Sequence, residues 1–332
     1  MKIGLTLGKF APFHKGHEFL IKSALSEVDK LIVVIYNASL TTNIPTHVRA
    51  QWIRNIFPEV EVIEAKDGPQ EIGYTHEIIL KQNKYLRKIL GGAEIHYFFS
   101  SEHYGDPVSK YFNCTNRVID LTRRRFKISG TEIRNNPYKY KDYLSEIVWN
   151  SIKPKIIFLG GPSTGKSTIA RICSSLYDGI YCEEYGRSYW FKNHVNHRLS
   201  IEDLVQIGHG QNQLISDSEN KDKNIIFIDT TPLTTLAYSK YYFGNYSKKV
   251  QSIFKDYKHI YDDVFLCDQD FPFEDTWDRS GPSSRTELQL INKEILSHEK
   301  IKYQILSGSI EERTKIISNY LKEKYGLGNT KY

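Results

Sequence analysis

Short apolar runs alternate with amphipathic stretches along the first half of the chain. The apolar runs that read as buried strands are Ile3–Gly8, Leu31–Tyr36, Val60–Ile63 and Ile95–Phe99. Between them, apolar residues recur every three or four positions, as on one face of a helix, over about 16–28, 47–57 and 75–90. Strands that alternate with helices in this way predict a parallel, doubly wound α/β sheet.

The same alternation starts again in the second half. Its predicted strands are Lys155–Leu159, Ile180–Glu183, Asn224–Asp229, Asp263–Cys267 and Lys302–Leu306. At 332 residues the chain also exceeds the size at which one hydrophobic core stops growing. We place the boundary near 149–154, where Asn-Ser and Pro interrupt a helix that begins near Tyr138. The sequence therefore predicts two doubly wound parallel-sheet domains, residues 1–150 and 151–332.

The composition says more about the cellular compartment and the partners of the protein than about its reaction. The formal charge of +6 is mild and suits anionic small molecules as well as nucleic acid. Four cysteines are scattered without C-x-x-C spacing, which favours reduced thiols over a disulfide framework or a zinc site. No signal peptide and no apolar stretch near the ~20 residues of a membrane helix can be recognised. We expect a cytoplasmic protein without a membrane partner, and we interpret the one dense basic run, Arg123-Arg124-Arg125, as a solvated face.

A motif rich in glycine and histidine follows the first predicted strand. It reads Gly-Lys-Phe-Ala-Pro-Phe-His-Lys-Gly-His over residues 8–17 and opens the first predicted helix. His14 and His17 are three residues apart at a helix N-terminus, so they face the same side. Their ring N–H groups, the free backbone N–H groups and the helix dipole suit a triphosphate. The predicted ATP-binding residues here are Gly8, Lys9, Phe10, His14, Gly16 and His17.

A second element, residues 128–134, offers further phosphate contacts. Ser129 is a candidate helix cap, Thr131 lies in the first turn and Arg134 follows about one turn later. Hydroxyls, backbone N–H groups and an arginine can all bind a phosphate. Taken alone, the element is equally consistent with an ordinary helix cap and a chance arginine. Its weight comes from its pairing with the histidine motif.

Together the two elements resemble the nucleotidylyltransferase superfamily, whose signatures are G-x-F-x-P-x-H-x-G-H and I-S-x-T-x-x-R. The resemblance implies that His14 and His17 are catalytic, because they stabilise charge that builds on the α-phosphate of ATP. The acceptor's own phosphate attacks and pyrophosphate leaves. No protein nucleophile is needed, so catalysis would rest on positioning and electrostatics.

The second half opens with a phosphate-binding loop. Residues 160–167 fit the P-loop pattern G-x-x-x-x-G-K-[ST] between a predicted strand and a predicted helix. In such a loop backbone N–H groups cradle phosphates, Lys166 reaches the β- and γ-phosphates, and the hydroxyl of Ser167 holds Mg²⁺. The predicted ATP-binding residues of this half are Gly160, Gly161, Ser163, Thr164, Gly165, Lys166, Ser167 and Thr168.

Polar residues at two more strand ends complete the second predicted site. Asp229 ends an apolar strand, the position expected for a carboxylate near the metal. Glu184 follows another strand, so either acid is a candidate catalytic base. Tyr185 is a candidate for stacking on a ring. The predicted nucleoside-binding residues are Glu184, Tyr185, Arg187 and Asp229, and the predicted metal ligands are Ser167 and Asp229.

A Ser-Gly-Pro-Ser-Ser stretch at 280–284 reads as a mobile lid. Arg279 and Arg285 flank it, and we predict that they contact ATP. An arginine that a lid delivers to a transferring phosphoryl group can raise its transfer rate by roughly 10³–10⁵. A plain surface loop is nearly as consistent with this segment.

The order and wording of the motifs resemble the NadR-type family, in which an adenylyltransferase for nicotinamide mononucleotide (NMN) is fused to a ribosylnicotinamide kinase. The resemblance runs over nearly the whole chain, with matching segments at 8–17, 45–57, 99–102, 125–134, 160–167, 184–187, 208–209 and 228–230. It implies that residues 151–332 phosphorylate ribosylnicotinamide with ATP and Mg²⁺. Residues 1–150 would then join the NMN to AMP, giving NAD and pyrophosphate.

The resemblance also implies individual roles. Arg49 is a candidate for a nucleotide phosphate, and Trp52 for an aromatic side chain near the nicotinamide of NMN, although an ordinary core tryptophan is at least as consistent. Some members carry a helix-turn-helix domain ahead of the motifs; here the first motif begins at Gly8, so we expect no nucleic-acid partner. Members can also carry a second acid two positions after Asp229, where this chain has Thr231, which leaves the kinase base open.

Two other functions fit the motifs. One is a fused phosphopantetheine adenylyltransferase and dephospho-coenzyme A kinase, which has the same domain order. The other is a sensor that binds NAD or ATP without turnover, against which the full set of motif residues argues. Small-molecule nucleotides and ribosylnicotinamide are the expected partners, and a homo-oligomer stays open.

Overall fold

The computed structural model describes residues 1–69, 71, 75–101, 105–193, 199–272 and 282–328. Glu102, in one matching segment, and the predicted lid residue Arg279 lie outside these ranges. The chain separates into two compact units, Met1–Trp149 and Asn150–Tyr332. Each contains one five-stranded sheet.

The first unit consists of a parallel sheet with helices between its strands. Its strands are β1 (Ile3–Gly8), β2 (Lys30–Tyr36), β3 (Glu61–Ala65), β4 (Tyr97–Ser100) and β5 (Thr115–Val118). Its helices are α1 (Lys15–Leu25), α2 (Thr46–Ile56), α3 (His76–Ile89), α4 (Gly105–Phe112), α5 (Gly130–Asn135) and α6 (Glu146–Ile152), the last of which runs across the division between the units.

The strand order of the first sheet is β3-β2-β1-β4-β5, and every pairing is parallel. Leu5 of β1 and Phe98 of β4 are fully buried and pack with residues of α3 and α4. Because helices cover the sheet, its central strands are continuous apolar runs. The chain turns in opposite directions on either side of β1, and ligands of such sheets bind beyond the carboxyl ends of the strands at this switch point.

The second unit repeats the architecture. Its strands are β6 (Lys155–Leu159), β7 (Ile180–Cys182), β8 (Ile226–Asp229), β9 (Asp263–Cys267) and β10 (Gln304–Leu306). Its helices are α7 (Lys166–Leu176), α8 (Tyr185–Asn193), α9 (Ile201–Glu219), α10 (Pro232–Phe243), α11 (Lys248–Asp256), α12 (Pro282–His298) and α13 (Ile310–Tyr325). The order is β10-β9-β6-β8-β7, again parallel, with β6 at the centre.

These two sheets confirm the predicted fold class, and the local differences have physical reasons. The predicted helix from Tyr138 is wrong: a single 3₁₀ turn at Lys141–Tyr143 comes first, and α6 begins only at Glu146. Helix α4 and strand β5 were not predicted. Strand β5 lies at the sheet edge with most of its residues exposed, so it lacks the apolar run that marks a buried strand. Among the helices that the structure describes, none is long and apolar enough to cross a membrane.

Candidate active sites

A cavity of about 520 Å³ lies at the carboxyl end of β1 in the first unit. The structure brings every predicted ATP-binding residue of this unit to its wall: Gly8, Lys9, Phe10, His14, Gly16, His17, Ser129, Thr131 and Arg134. The two motifs are more than 100 residues apart in sequence, yet they form one site because the strand order places their ends together.

The two histidines form a stacked pair at the start of α1. His14 caps the helix, and its Nδ1 accepts a hydrogen bond from the N–H of Gly16 at 3.2 Å. The Nδ1 of His17 accepts from the backbone N–H of His14 at 3.3 Å, and the ring centroids are 3.7 Å apart. Because each Nδ1 is an acceptor, the proton of each neutral ring resides on Nε2. Both rings therefore keep an Nε2–H donor for a phosphate oxygen.

Burial keeps these imidazoles uncharged. It lowers the pKa of His14 from 6.5 to about 4, with a smaller contribution from the positive charge of Arg123. The pKa of His17 is held well below its ordinary value by burial, by His14 and by Arg123. At neutral pH the pair consequently acts through hydrogen bonds and not as two cations.

Helix α5 is hydrogen-bonded directly to the histidine motif. Arg134 donates to the carbonyl oxygen of Ala11 and, at 2.9 Å, to the hydroxyl of Thr131. Ser129 caps α5 by accepting from the N–H of Glu132 at 3.2 Å. A Cβ at Gly130 would lie 2.9 Å from the oxygen of Ala11, so only glycine allows this approach. The Arg134 side chain therefore helps to fix the geometry of the site.

Arg123 joins the site from a segment interpreted as a solvated face. It is exposed, but it lines the cavity. A tight turn presents it: the carboxylate of Asp120 accepts from the N–H groups of Arg124 at 2.8 Å and Arg125 at 3.1 Å. The guanidinium of Arg125 lies over the ring of Phe19, 4.7 Å from its centroid. One arginine of the run thus belongs to the site, and the sequence pattern did not distinguish it from its neighbours.

The two predicted NMN contacts lie elsewhere. Arg49 is 1% exposed and donates to the carbonyl oxygens of Lys9 and, at 2.9 Å, Tyr36, so it holds the loop after β1 against α2. Trp52 is 3% exposed in the core. Neither is among the cavity-lining residues that the structure describes. The cavity extends instead to α3, with Ile79, Gln82 and Asn83 in its wall.

The second unit holds a cavity of about 440 Å³ around the P-loop. The predicted residues that line it are Gly160, Ser163, Thr164, Gly165, Lys166, Ser167, Thr168, Glu184 and Arg187. Gly160, with φ +141°, and Gly165, with φ +82°, adopt backbone conformations that side-chain-bearing residues rarely reach. The Lys166 amine donates to the carbonyl oxygen of Gly161 at 2.8 Å.

Two residues that the sequence did not indicate hold the P-loop in shape. Arg313 of α13 is fully buried, donates to the carbonyl oxygen of Thr164 at 2.7 Å and forms an ion pair with Asp270. Gln289 of α12 accepts from the N–H of Gly161 at 3.0 Å and donates to the carbonyl oxygen of Cys267 at 3.0 Å. Both contacts are long-range in sequence, so no local motif marks them.

The two candidate acidic residues of this site, Asp229 and Glu184, differ in how deeply they are buried. Asp229 is 1% exposed, and its Oδ2 accepts from the Tyr181 hydroxyl at 3.2 Å, while its Oδ1 has no partner among the described residues. Glu184 lines the cavity, with one carboxylate oxygen 3.6 Å from the guanidinium of Arg187. Thr231 is used as the cap of α10 and accepts a 2.5 Å hydrogen bond from the Tyr261 hydroxyl.

The described residues of this unit offer few ligands for a metal ion. Over the part of the chain that the structure describes, no group of three or more His, Cys, Asp or Glu side chains could enclose a cation. Mg²⁺ usually binds through one or two carboxylates together with substrate phosphates and waters. The hydroxyl of Ser167 at the cavity wall and the unpartnered Oδ1 of Asp229 fit that chemistry.

The remaining predicted residues of this site do not line its cavity in the described ranges. The N–H of Gly161 donates to Gln289 at 3.0 Å, and the N–H of Tyr185 donates to Gln211 at 2.8 Å. Arg285 is 7% exposed on α12 and donates to the carbonyl oxygen of Phe271 at 2.7 Å. The structure thus places Arg285 in the packing of α12, whereas Arg279 lies outside the described residues.

Fold and sites define a protein with two nucleotide sites, in which a cytidylyltransferase-like domain is followed by a P-loop domain. Residues 5–136 match the cytidylyltransferase-like family, and residues 155–313 match the AAA domain family. The trifunctional NAD biosynthesis/regulator protein NadR of Escherichia coli (strain K12) is 28% identical over 91% of this chain and 78% of its own length. The protein of the same name from Salmonella typhimurium is 27% identical with the same coverage. The chain is homologous to these NadR proteins.

Solved structures extend the likeness to the whole fold. The crystal structure of NadR protein in complex with NR has a TM-score of 0.63 and 20% sequence identity, covering 100% of this chain and 98% of the other. A crystal structure of NadR protein with NAD and AMP-PNP gives the same values. At this identity the likeness concerns the fold.

Proposed function

We propose that the chain is a bifunctional NAD salvage enzyme. Residues 151–332 phosphorylate ribosylnicotinamide to NMN with ATP, and residues 1–150 join NMN to the AMP moiety of ATP, releasing pyrophosphate. The observation that carries this proposal is the presence of two cavities, one lined by the histidine motif and one lined by the P-loop. Homology to the NadR proteins supports the choice of substrates.

In the adenylyl transfer, a phosphate oxygen of NMN attacks the α-phosphorus of ATP and the bond to pyrophosphate breaks. Negative charge grows on the α-phosphate oxygens. The Nε2–H groups of His14 and His17 donate to these oxygens, and Arg123 neutralises part of the charge. Removal of a single donor of this kind typically slows a reaction about 10²- to 10³-fold.

In the kinase step, the 5′-hydroxyl of the nucleoside attacks the γ-phosphorus of ATP. Lys166 and the backbone N–H groups of the P-loop bind the phosphates. Mg²⁺, held by Ser167 and Asp229, would neutralise charge on the β- and γ-phosphates. Glu184 is the better placed candidate to accept the hydroxyl proton, because it lines the cavity whereas Asp229 is buried beneath it.

The free cysteines suit a reduced cytoplasm.

The first experiment is a product assay with the purified chain, ribosylnicotinamide, ATP and Mg²⁺, in which chromatography separates NMN from NAD. Both products are expected. NMN without NAD would contradict the assignment of the first domain. Turnover of phosphopantetheine in place of ribosylnicotinamide would point to the coenzyme A enzyme, and binding of NAD or ATP without any product would identify a sensor.

A further inference from the structure

One wall of the P-loop cavity is formed by helices α10 and α12, through residues that were not predicted from the sequence. Helix α10 supplies Thr234 and Tyr238, and helix α12 supplies Leu288 and Asn292. All four side chains are uncharged. In the described part of the chain, α10 and α12 add no Lys, Arg, Asp or Glu to the cavity lining.

Two polar atoms of this wall are buried and have no hydrogen-bond partner among the residues that the structure describes. They are Oγ1 of Thr234, whose residue is 8% exposed, and Oδ1 of Asn292, whose residue is 1% exposed. A buried polar atom that loses water without gaining a partner destabilises the protein. Thr234 and Asn292 both line the cavity, so a bound ligand can supply the missing hydrogen bonds.

The neighbouring side chains indicate the shape of that ligand. The ring of Tyr238 stacks on Tyr242, with centroids 5.6 Å apart, which limits its rotation and leaves an aromatic surface at the cavity. Leu288 adds an apolar contact. An aromatic and an apolar side chain beside an amide and a hydroxyl suit a planar ring that carries one neutral polar substituent.

We propose that Thr234 and Asn292 bind the carboxamide on the pyridine ring of the nucleoside acceptor, with the ring packed against Tyr238, and thereby select an amide over an acid. The proposal rests on the kinase activity proposed above. A carboxamide offers both a donor and an acceptor to the Asn292 amide. A carboxylate has no donor, and this wall provides no cation to balance its charge.

The test compares phosphorylation of ribosylnicotinamide with that of its nicotinic acid analogue by the full chain. We expect kcat/KM to favour the amide by at least about tenfold. Asn292→Ala should lower kcat/KM for the amide about tenfold, mainly through KM, and should leave the acid nearly unchanged. Asn212→Ala is the matched control, because Asn212 is a buried asparagine of the same unit that donates to the carbonyl oxygen of Ile253 and does not line the cavity.

Thr234→Val separates ligand binding from folding. Valine keeps the shape of threonine and removes an unpartnered buried hydroxyl, so the melting temperature without nucleoside should stay or rise while KM for the amide rises. Equal losses on amide and acid, or no preference in the wild-type chain, would overturn the proposal and leave the kinase function intact. Failure to phosphorylate either nucleoside would overturn both.

Discussion

The pKa of His14 provides the most direct test of the first site, because the size of its shift follows from the burial of the ring and from the charges near it. A pKa lowered from 6.5 to about 4 corresponds to roughly 3 kcal/mol against the charged ring. Fewer than about one ring in a hundred is then charged at pH 7. The groups that face it are Arg123, which lowers the pKa, Glu132, which raises it, and the neutral His17. Burial is the largest cause, so the pKa should stay low even when Arg123 is removed.

The sign for stability follows from the same shift. Between about pH 6.5 and 4, His14 is protonated in the unfolded chain but stays neutral in the folded chain. Stability of the first unit is therefore fully present above pH 6.5 and declines as the pH falls towards 4. The decline from this residue amounts to at most roughly 3 kcal/mol.

The assay is an NMR titration of the full chain labelled at the histidine rings, with the His14 signal assigned from a His14→Gln variant. The midpoint is expected near 4 in the wild-type chain. It should rise in Arg123→Gln, while staying below 6.5, and should not move in Arg124→Gln. A wild-type midpoint near 6.5, or an equal response to both arginine variants, would refute the electrostatic account of this site.

Three further substitutions test whether the two sites work independently and whether Arg313 holds the P-loop in shape. His17→Ala should slow NAD formation about 10²- to 10³-fold and leave nucleoside phosphorylation near normal, as measured by product chromatography; equal loss of both would contradict independent sites. Lys166→Ala should slow the kinase at least about 10²-fold without loss of adenylyl transfer from supplied NMN; an intact kinase would remove Lys166 from the ATP site. Arg313→Met should weaken ATP binding and destabilise the second unit by about 1–3 kcal/mol, because the buried carbonyl oxygen of Thr164 loses its donor; calorimetry and denaturant unfolding measure the two effects. Unchanged ATP affinity would show that the Thr164 contact does not shape the P-loop.

The parts predicted well from sequence are those that local sequence dictates. Residues 8–17 and 160–167 each join a buried strand to a helix, and the glycine, lysine and hydroxyl positions follow from how a backbone binds phosphate. Ser129 and Arg134 also reach the histidine cavity, as their pairing with the histidine motif predicted. That prediction rested on the resemblance of the two motifs to one family, because strand β5, which precedes them, has no apolar run that marks it in the sequence.

The parts that could not be predicted depend on packing across the fold. On α2, an arginine and a tryptophan are equally consistent with ligand contacts and with core positions. The structure buries both, and Arg49 donates to backbone carbonyl oxygens. Gln289 and Arg313 are isolated polar residues on amphipathic helices, so only the folded chain reveals that they reach the P-loop.

The contact between Arg313 and Thr164 has a consequence for the order of synthesis. The two residues are 149 positions apart, and the arginine lies in helix α13. A ribosome that adds about 5–20 residues per second completes the P-loop sequence several seconds before it adds this arginine. During that interval β6 and α7 can form, but the Thr164 carbonyl lacks its donor. The kinase site is therefore complete only after helix α13 has left the ribosome, whereas the residues of the histidine cavity have all been synthesised before the P-loop.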